Sequence, residues 1–116
     1  MTCTQEKAGT ITVINLGGEV DSISASDLES RALALLDEGV KELLIDCTDL
    51  VYINSAGLRV FLLAAKQLAP DGTLSFCGLA PNVRLVFETI GFDRILTVHD
   101  TREAALALMR PVSAAA

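Results

Sequence analysis

The sequence predicts a single α/β domain, in which a mixed and mostly parallel sheet of four to five strands is packed with four helices. Short apolar runs alternate along the chain with amphipathic segments of about ten to fifteen residues, a pattern typical of parallel strands joined by helices. A chain of 116 residues is long enough for one hydrophobic core. We therefore expect one domain over residues 1–116, with its core at about 10–110 and a flexible tail at 111–116.

The opening strand is predicted at residues 10–16, where the apolar side chains alternate well enough to place one face on the core. Gly17 and Gly18 follow it and permit a turn or a bulge. Val20 is a candidate for a second short strand. This opening pair is the expected antiparallel exception in the sheet.

The first helix is predicted from Ser26, because Glu29 stands three residues later, as in a capping box. Gly39 suits the position just after the end of this helix. The residues on its apolar face are Leu28, Ala32, Leu35 and Leu36. Residues 41–47 then form an apolar run that is short enough to be a buried strand.

The second helix is predicted to start within the stretch 52–59 and to end at the Pro-Asp-Gly of residues 70–72. A polar side chain at the start of a helix can cap it by accepting a hydrogen bond from a first-turn N–H group. The same place tolerates negative charge. Ser55 is therefore either a plain cap or a residue that can accept a phosphate at little cost to the fold. The apolar face expected for this helix consists of Leu58, Phe61, Leu62, Ala65 and Leu68.

The last third of the chain repeats the alternation of strands and helices. Strands are predicted at residues 73–79 and 95–98. The helix between them should open at Pro81 and stop at Gly91. A final helix is expected after Asp100, which has the capping-box spacing to residue 103.

Composition and charge exclude several classes of function. The formal charge is -6 and the isoelectric point is near 4.6, whereas binding to the nucleic-acid backbone depends on clustered Lys and Arg, so we expect no nucleic-acid partner. No apolar run approaches the roughly 20 residues that span a bilayer, so membrane insertion is not expected. The first residues lack the basic start and apolar stretch of a signal peptide, which favours a cytoplasmic location.

The sequence offers no set of residues for catalysis or for a cofactor. Ser55 lies outside a G-x-S-x-G elbow, because Ile53 stands where the first glycine would be. His99, the only histidine, is expected at the end of a strand, and the sequence does not support an arrangement of nucleophile, base and orienting acid around it. Asp21, Asp46 and Asp49 do not have the spacing of metal ligands. We expect neither enzymatic activity nor a metal or other cofactor.

The three cysteines also lack the spacing of a metal site or a redox motif. Cys47 and Cys77 fall in predicted strands, where a thiol is usually a small buried apolar group.

Three segments in order resemble the STAS domains, and among them the single-domain anti-sigma factor antagonists of bacteria. Residues 18–21 (GEVD) are similar to the family's G-E-L-D turn, and residues 44–58 are similar to its L-D-L-S…I-D-S-S-G-L core. Residues 83–92 resemble its third helix and the glycine that stops it. The resemblance extends from about residue 10 to residue 109 and implies the STAS fold. Asn54 stands where the commonest motif has Asp, which keeps the size and the capping ability and removes one charge.

The resemblance implies that Ser55 is the phosphoacceptor of an anti-sigma factor that is itself a serine kinase, a GHKL-type ATPase. The unphosphorylated protein would bind this kinase and so free a sigma factor, and a metal-dependent serine phosphatase would restore the cycle. The partner-binding residues carried over from the family motif are Asp21, Asp46, Asn54, Ser55, Ala56, Gly57 and Leu58, with Asp21 and Asp46 at the same end of the sheet. STAS domains also occur in proteins that do not regulate sigma factors. The alternative is therefore an accessory subunit of a lipid-transport or other membrane-associated assembly, which is not phosphorylated.

Overall fold

The computed structural model describes residues 1–109, so the tail expected at 111–116 lies outside the described residues. These residues form five strands and four helices, with one short 3₁₀ turn at Phe92–Arg94. The strands are β1 (Thr2–Ala8), β2 (Ile11–Val20), β3 (Glu42–Ile53), β4 (Thr73–Cys77) and β5 (Thr97–His99). The helices are α1 (Ser22–Asp37), α2 (Ser55–Leu68), α3 (Pro81–Thr89) and α4 (Arg102–Met109).

The strands lie side by side in chain order, from β1 to β5. Strand β1 pairs with β2 antiparallel, and the other three pairs are parallel. The mixed, mostly parallel sheet with four helices is therefore confirmed. The prediction that the antiparallel pair lies within residues 10–20 is wrong, because the pair is formed by β1 and β2 and the apolar pattern predicts no strand at residues 2–8. Most side chains of β1 are exposed, and an edge strand of this kind carries little of the apolar pattern by which strands are recognised.

The two faces of the sheet are covered unequally. Helices α1, α2 and α3 pack on one face around the larger core, which contains Phe61, Phe76 and Phe87. The ring centroids of Phe61 and Phe76 lie 4.7 Å apart in an edge-on arrangement. Helix α4 covers the other face, where Ala105 packs among the smaller core group of Ile11, Val13, Leu44 and Cys77. Because alternate residues of a strand face opposite sides, β2 and β3 contribute to both cores.

Strand β3 contains two bulges, and it extends well beyond the predicted residues 41–47. Between the pairs Asn15–Asp46 and Gly17–Asp49, β3 has one residue more than β2, and the same is true between Gly18–Leu50 and Glu19–Tyr52. At the first bulge, the Thr48 N–H donates to the Asp46 carboxylate at 3.0 Å. At the second, the Asn82 side chain of α3 donates to the carbonyl of Val51 at 2.9 Å. Side-chain hydrogen bonds thus stabilise both irregular points.

Two of the predicted helix starts were wrong. Helix α1 begins four residues before Ser26, because Asp21 is the cap: its carboxylate accepts hydrogen bonds from the N–H groups of Ile23 and Ser24. At α4, the Thr101 hydroxyl oxygen accepts the hydrogen bond of Ala104, while the Asp100 carboxylate pairs with Arg84. In both places several Asp, Ser or Thr residues compete for one capping position, and local sequence does not decide between them.

Other boundaries agree with the sequence more closely. Pro81 is the first residue of α3, and Gly91, with φ of +81°, follows its end in the left-handed conformation that glycine adopts readily. Strand β4 stops at Cys77, earlier than predicted, and β5 starts at Thr97, later than predicted. Within residues 1–109, no helix is both long enough and apolar enough to cross a membrane.

Candidate phosphorylation and partner-binding site

Ser55 is the first residue of α2, and its side chain is exposed. The residue before it, Asn54, caps the helix by accepting a hydrogen bond from the Gly57 N–H group at 3.1 Å. The Ser55 hydroxyl makes no hydrogen bond with any residue that the structure describes. The interpretation of Ser55 as the plain cap is therefore wrong, because Asn54 performs that role. The Ser55 hydroxyl is left on the surface at the positive end of the helix dipole.

Asn54 also joins the starts of α1 and α2. Its backbone N–H donates to the carbonyl of Val20 at the end of β2, at 3.0 Å. Its side-chain amide donates to the hydroxyl of Ser22, at 3.2 Å. Because Ser22 directly follows Asp21, the cap of α1, the two helix starts lie side by side where β2 and β3 end. The structure thus brings Asp21 into the neighbourhood of Asn54 and Ser55.

The carboxylate of Asp21 is stabilised in its charged form. The backbone N–H of Ser24 holds the pKa of Asp21 below its ordinary value, and the Ser24 hydroxyl and the N–H of Ile23 add to this effect. The Ser24 hydroxyl also accepts a hydrogen bond from the Asp21 N–H at 2.9 Å, which completes the capping box. A negative charge therefore stands at the start of α1 at neutral pH, next to the start of α2.

Gly57 and Leu58 fix the position of α2 from below. A Cβ atom on Gly57 would lie 2.7–2.8 Å from side-chain carbons of Ile53 and Val20, so only glycine lets the first turn of α2 approach the strand ends this closely. Leu58 is 7% exposed and belongs to the larger core. Of the residues in this predicted motif, Ser55 is exposed, and Asn54 and Ala56 are half-buried. Gly57 and Leu58 are buried, so they act on the surface only by positioning the residues above them.

Asp46 lies elsewhere. Its neighbours Ile45 and Cys47 belong to the core beneath α1–α3, and the Asp46 side chain points to the opposite face, toward α4. There it accepts a hydrogen bond from Arg102 Nε at 2.9 Å. Residues 47–53 separate Asp46 from Asn54 along β3, and because two of these residues are taken up by the bulges, the distance is about 20 Å at the usual rise of a strand. The prediction that Asp21 and Asp46 lie at the same end of the sheet, next to Ser55, is therefore wrong.

The surroundings of Asp46 form a polar cluster on the α4 face. The Arg102 guanidinium also contacts Glu6 of β1 and Asn15 of β2. Burial alone would raise the pKa of Asp46, but the hydrogen bonds from Thr48 and Arg102 outweigh it and hold the pKa below its ordinary value. Within this cluster, the Asp46 carboxylate connects the first bulge of β3 to α4. This contact could not be predicted from local sequence patterns, because Asp46 and Arg102 are 56 residues apart.

Exposed apolar side chains lie on the segments next to Ser55, and no sequence motif marked them as functional. Ile23 is 84% exposed at the start of α1, and Val51 and Tyr52 are 61% and 48% exposed near the end of β3. An open groove of about 300 Å³ lies between α1 and α2, next to the starts of both helices. It is lined by Ser22, Ala25, Ser26, Glu29, Ala56, Arg59 and Val60. The feature of the sequence that could have indicated this surface is the apolar pair at residues 51–52, because these residues belong to β3 beyond its predicted end at residue 47.

The titratable residues do not form a metal site in the part of the chain that the structure describes, where no three His, Cys, Asp or Glu side chains are grouped to hold an ion. Cys47 and Cys77 are buried, as predicted. Burial raises the pKa of both thiols, that of Cys77 to about 12. Neither cysteine is near Ser55 in the fold, since both lie in the sheet interior.

Comparisons with known proteins match nearly the whole chain. The sequence model of the STAS domain matches residues 3–105. The chain is 43% identical over 111 residues to BtrV of Bordetella bronchiseptica, which carries the name of an anti-sigma factor antagonist; the match covers 95% of this chain and 96% of that protein. The name describes an antagonist and no catalysed reaction, in agreement with the expectation that the chain is not an enzyme.

Two solved structures have the same fold. The first is an anti-sigma factor antagonist from Mycobacterium paratuberculosis, with a TM-score of 0.89, 23% identity, and coverage of 95% of this chain and 94% of that one. The second is the Bacillus cell fate determinant SpoIIAA in its phosphorylated form, with a TM-score of 0.75, 21% identity, and coverage of 94% and 100%. At these identities the structures establish the arrangement of strands and helices alone.

Proposed function

Because the chain belongs to the STAS domain family, we propose that it is an anti-sigma factor antagonist controlled by phosphorylation of Ser55. In its unphosphorylated form it binds an anti-sigma factor that is also a serine kinase, a GHKL-type ATPase, and this binding frees a sigma factor. The kinase transfers the γ-phosphoryl group of ATP to the Ser55 oxygen, ADP leaves, and the hydroxyl proton is released. A metal-dependent serine phosphatase hydrolyses the phosphate ester. The protein itself is a cytoplasmic binding protein in this proposal.

The observation that carries the proposal is the state of the Ser55 side chain. Its hydroxyl is exposed at the first residue of α2, while the capping hydrogen bond that would otherwise occupy it is made by Asn54. A kinase can reach this oxygen without unfolding any element. The name of the 43% identical relative, an anti-sigma factor antagonist, supports the same function.

The proposed partner surface is centred on Ser55. It includes Asp21, Asn54 and Ala56, together with the exposed apolar side chains of Ile23 and Tyr52. Gly57 and Leu58 contribute by holding the start of α2 against the strand ends. Asp46 contributes to the fold and not to this surface, because it faces α4. Apolar area beside polar groups is a common composition of protein interfaces.

Phosphorylation would act at this surface and leave the fold intact. A phosphate adds about -1.5 to -2 charges at neutral pH. The first-turn N–H groups of α2 and the positive end of its dipole reduce the cost of that charge to the domain. For a partner that is shaped around a neutral serine, the phosphate adds bulk, desolvation cost and repulsion beside the charged Asp21. The partner complex should therefore weaken, while the free domain remains folded.

The test uses the tagged unphosphorylated protein to recover its partners from native cell extract, followed by phosphorylation of variants with the recovered kinase. Ser55→Ala should bind the kinase and accept no phosphate, and Ser55→Asp should bind weakly. Ser30→Ala, an exposed serine on α1, is the matched control and should behave as wild type. All three should keep the wild-type circular dichroism spectrum.

Several outcomes would contradict the proposal. Equal labelling of Ser55→Ala and wild type would exclude Ser55 as the acceptor. Tight kinase binding by a folded Ser55→Asp protein would exclude the charge mechanism. Recovery of transporter subunits without a kinase would favour the accessory subunit of a membrane-associated assembly.

A further inference from the structure

Arg59 lies four residues after Ser55 on α2, and both side chains are exposed. Residues four apart on a helix are neighbours on one face. Side chains of a helix also lean toward its N-terminus, so a long side chain covers the turn before its own Cα atom. For Arg59, that turn is the one that starts with Ser55. The guanidinium can therefore reach the Ser55 oxygen without a change in the backbone.

The Arg59 side chain forms no ion pair with the part of the chain that the structure describes. Three of the arginines within residues 1–109 form ion pairs, whereas Arg59 makes none with those residues; the pairs are Arg31 with Asp27, Arg84 with Asp100, and Arg102 with Asp46 and Glu6. The first turn of α2 also contains no acidic side chain that could occupy the guanidinium.

Arg59 also lines the groove between α1 and α2. Arg59 is the one basic residue among those that line it, and it stands with Ala56 on the α2 side, facing Ser22, Ser26 and Glu29 of α1. The negative groups nearby in the fold, Asp21 and Glu29, would both repel a phosphate on Ser55. Among the residues that line this groove, Arg59 is thus the cation available to a phosphate on Ser55, with the carboxylates of Asp21 and Glu29 in its neighbourhood.

We propose that Arg59 binds the phosphate on Ser55 through a charge-assisted pair within α2, and that this pair favours the doubly charged form of the phosphate. The proposal rests on the proposed function only in that Ser55 must carry a phosphate. An arginine is suited to the role because its planar guanidinium can donate two parallel hydrogen bonds to phosphate oxygens, which a lysine cannot. The pair would offset the repulsion from the α1 carboxylates and hold the phosphate against α2.

The experiment places phosphoserine at position 55 during synthesis, so that no kinase is needed, and follows the ³¹P NMR signal of the phosphate as a function of pH. The variants are Arg59→Gln and Arg59→Lys. Lys66→Gln is the matched control, because it removes one positive charge from the same stripe of α2 two turns farther from Ser55. The phosphate of the wild-type protein should titrate at a lower pH than that of Arg59→Gln, because the guanidinium favours the dianion.

The expected shift is modest because the pair is exposed: Arg59→Gln should raise the second pKa of the phosphate by about 0.5. Arg59→Lys should restore part of the effect, Lys66→Gln should leave the titration unchanged, and salt at about 1 M should reduce the difference between wild type and Arg59→Gln. Equal titration of the wild-type and Arg59→Gln phosphates would overturn the proposal. So would an Arg59→Gln protein that loses kinase binding in the unphosphorylated form while its phosphate titrates as in wild type, since Arg59 would then be a partner contact.

Failure of this inference is distinguishable from failure of the proposed function. An unchanged phosphate titration leaves Ser55 available as the substrate of a kinase, because the phosphoserine in this experiment is not made by one. Conversely, the absence of any kinase that labels Ser55 would remove the proposed function and leave the measured pairing as it is.

Discussion

The Asp46 carboxylate connects two distant parts of the chain, the first bulge of β3 and the start of α4. One oxygen accepts hydrogen bonds from the N–H and the hydroxyl of Thr48, and the other accepts one from Arg102. Its side chain is only 11% exposed, so the charge is stabilised by these partners more than by water. Asp46 is therefore a residue that stabilises the fold, although the resemblance to the family motif predicted a place for it beside Ser55.

The charge of Asp46 should make the stability of the protein depend on pH. Because the folded pKa of Asp46 is lower than its value in the unfolded chain, near 3.9, the carboxylate stabilises the fold above that pH. The contribution is lost as the pH falls through the folded value. Asp46→Asn should lower the free energy of unfolding by about 1–3 kcal/mol at pH 7, and the difference from wild type should shrink below about pH 4.

Urea denaturation between pH 7 and pH 2 measures this effect. Asp100→Asn is the control, because Asp100 also pairs with an arginine but its side chain is 88% exposed, and an ion pair so exposed contributes little. A difference between wild type and Asp46→Asn that stays constant over the whole pH range would contradict the assignment of a stabilised charge to Asp46.

Among the elements, α2 determines both the core and the candidate site. The sequence placed Leu58, Phe61 and Leu62 on its core face. The structure buries Leu58 and Phe61 but leaves Leu62 half-buried and outside the core, while Ala64 is buried in its place. The helix is therefore rotated about its axis so that Ala64 lies on the buried face with Phe61, and Leu62 lies at its edge. A sequence in which nearly every residue of a helix is apolar does not fix this rotation, because the contrast between faces is weak.

Truncations of two neighbouring residues on α2 test this orientation. Phe61→Ala should lower the free energy of unfolding by about 3–5 kcal/mol, because Phe61 is 1% exposed and contacts the rings of Phe76 and Phe87. Leu62→Ala should cost about 1 kcal/mol or less, since the side chain is only partly buried. Chemical denaturation of both variants provides the measurement. Similar midpoints for the two variants would show that α2 is rotated differently about its axis.

For the whole molecule, the sheet separates two regions with different tasks. The candidate site lies where β2 and β3 end and α1 and α2 begin, and the polar cluster around Asp46 and Arg102 lies on the opposite face under α4. The three phenylalanine rings between the sheet and α2–α3 form a continuous packed core. A charge added at Ser55 would lie at the ends of β2 and β3, outside this core, so the switch that we propose should act on partner binding and leave the fold intact.

Thiol labelling reports on the integrity of this body as a whole. Cys47 and Cys77 are buried and their thiols have a raised pKa, so neither should react with a thiol reagent until the fold opens. Cys3 is half-buried on the edge strand β1 and should be the first to react. We expect one reactive thiol in the native protein and three in denaturant, as counted by a colorimetric thiol assay. Fast native labelling of Cys47 and Cys77 would show that the sheet opens readily.

The sequence by itself determined the α/β class, the four helices, the parallel strands and the serine at the start of α2. These features depend on local properties: apolar period, the residues that begin and end helices, and a motif contained in fifteen consecutive residues. The expected resemblance to STAS domains over most of the chain is likewise confirmed. The burial of Cys47 and Cys77 followed from the same local pattern, since each lies in an apolar strand.

Only the tertiary structure decided the rest, because it depends on residues that are distant in sequence. Strand β1 is recognisable only by its pairing with β2, the Asp46–Arg102 pair spans 56 residues, and Asp21 prevailed over Ser26 as the cap of α1 because β2 ends at Val20. The same holds for Asn54, which is tied to Val20 and Ser22 across more than thirty positions and so takes the capping role from Ser55. Local sequence indicates which residues could cap a helix, pair with another residue or form a turn. The packing of strands and helices determines which of these residues do so.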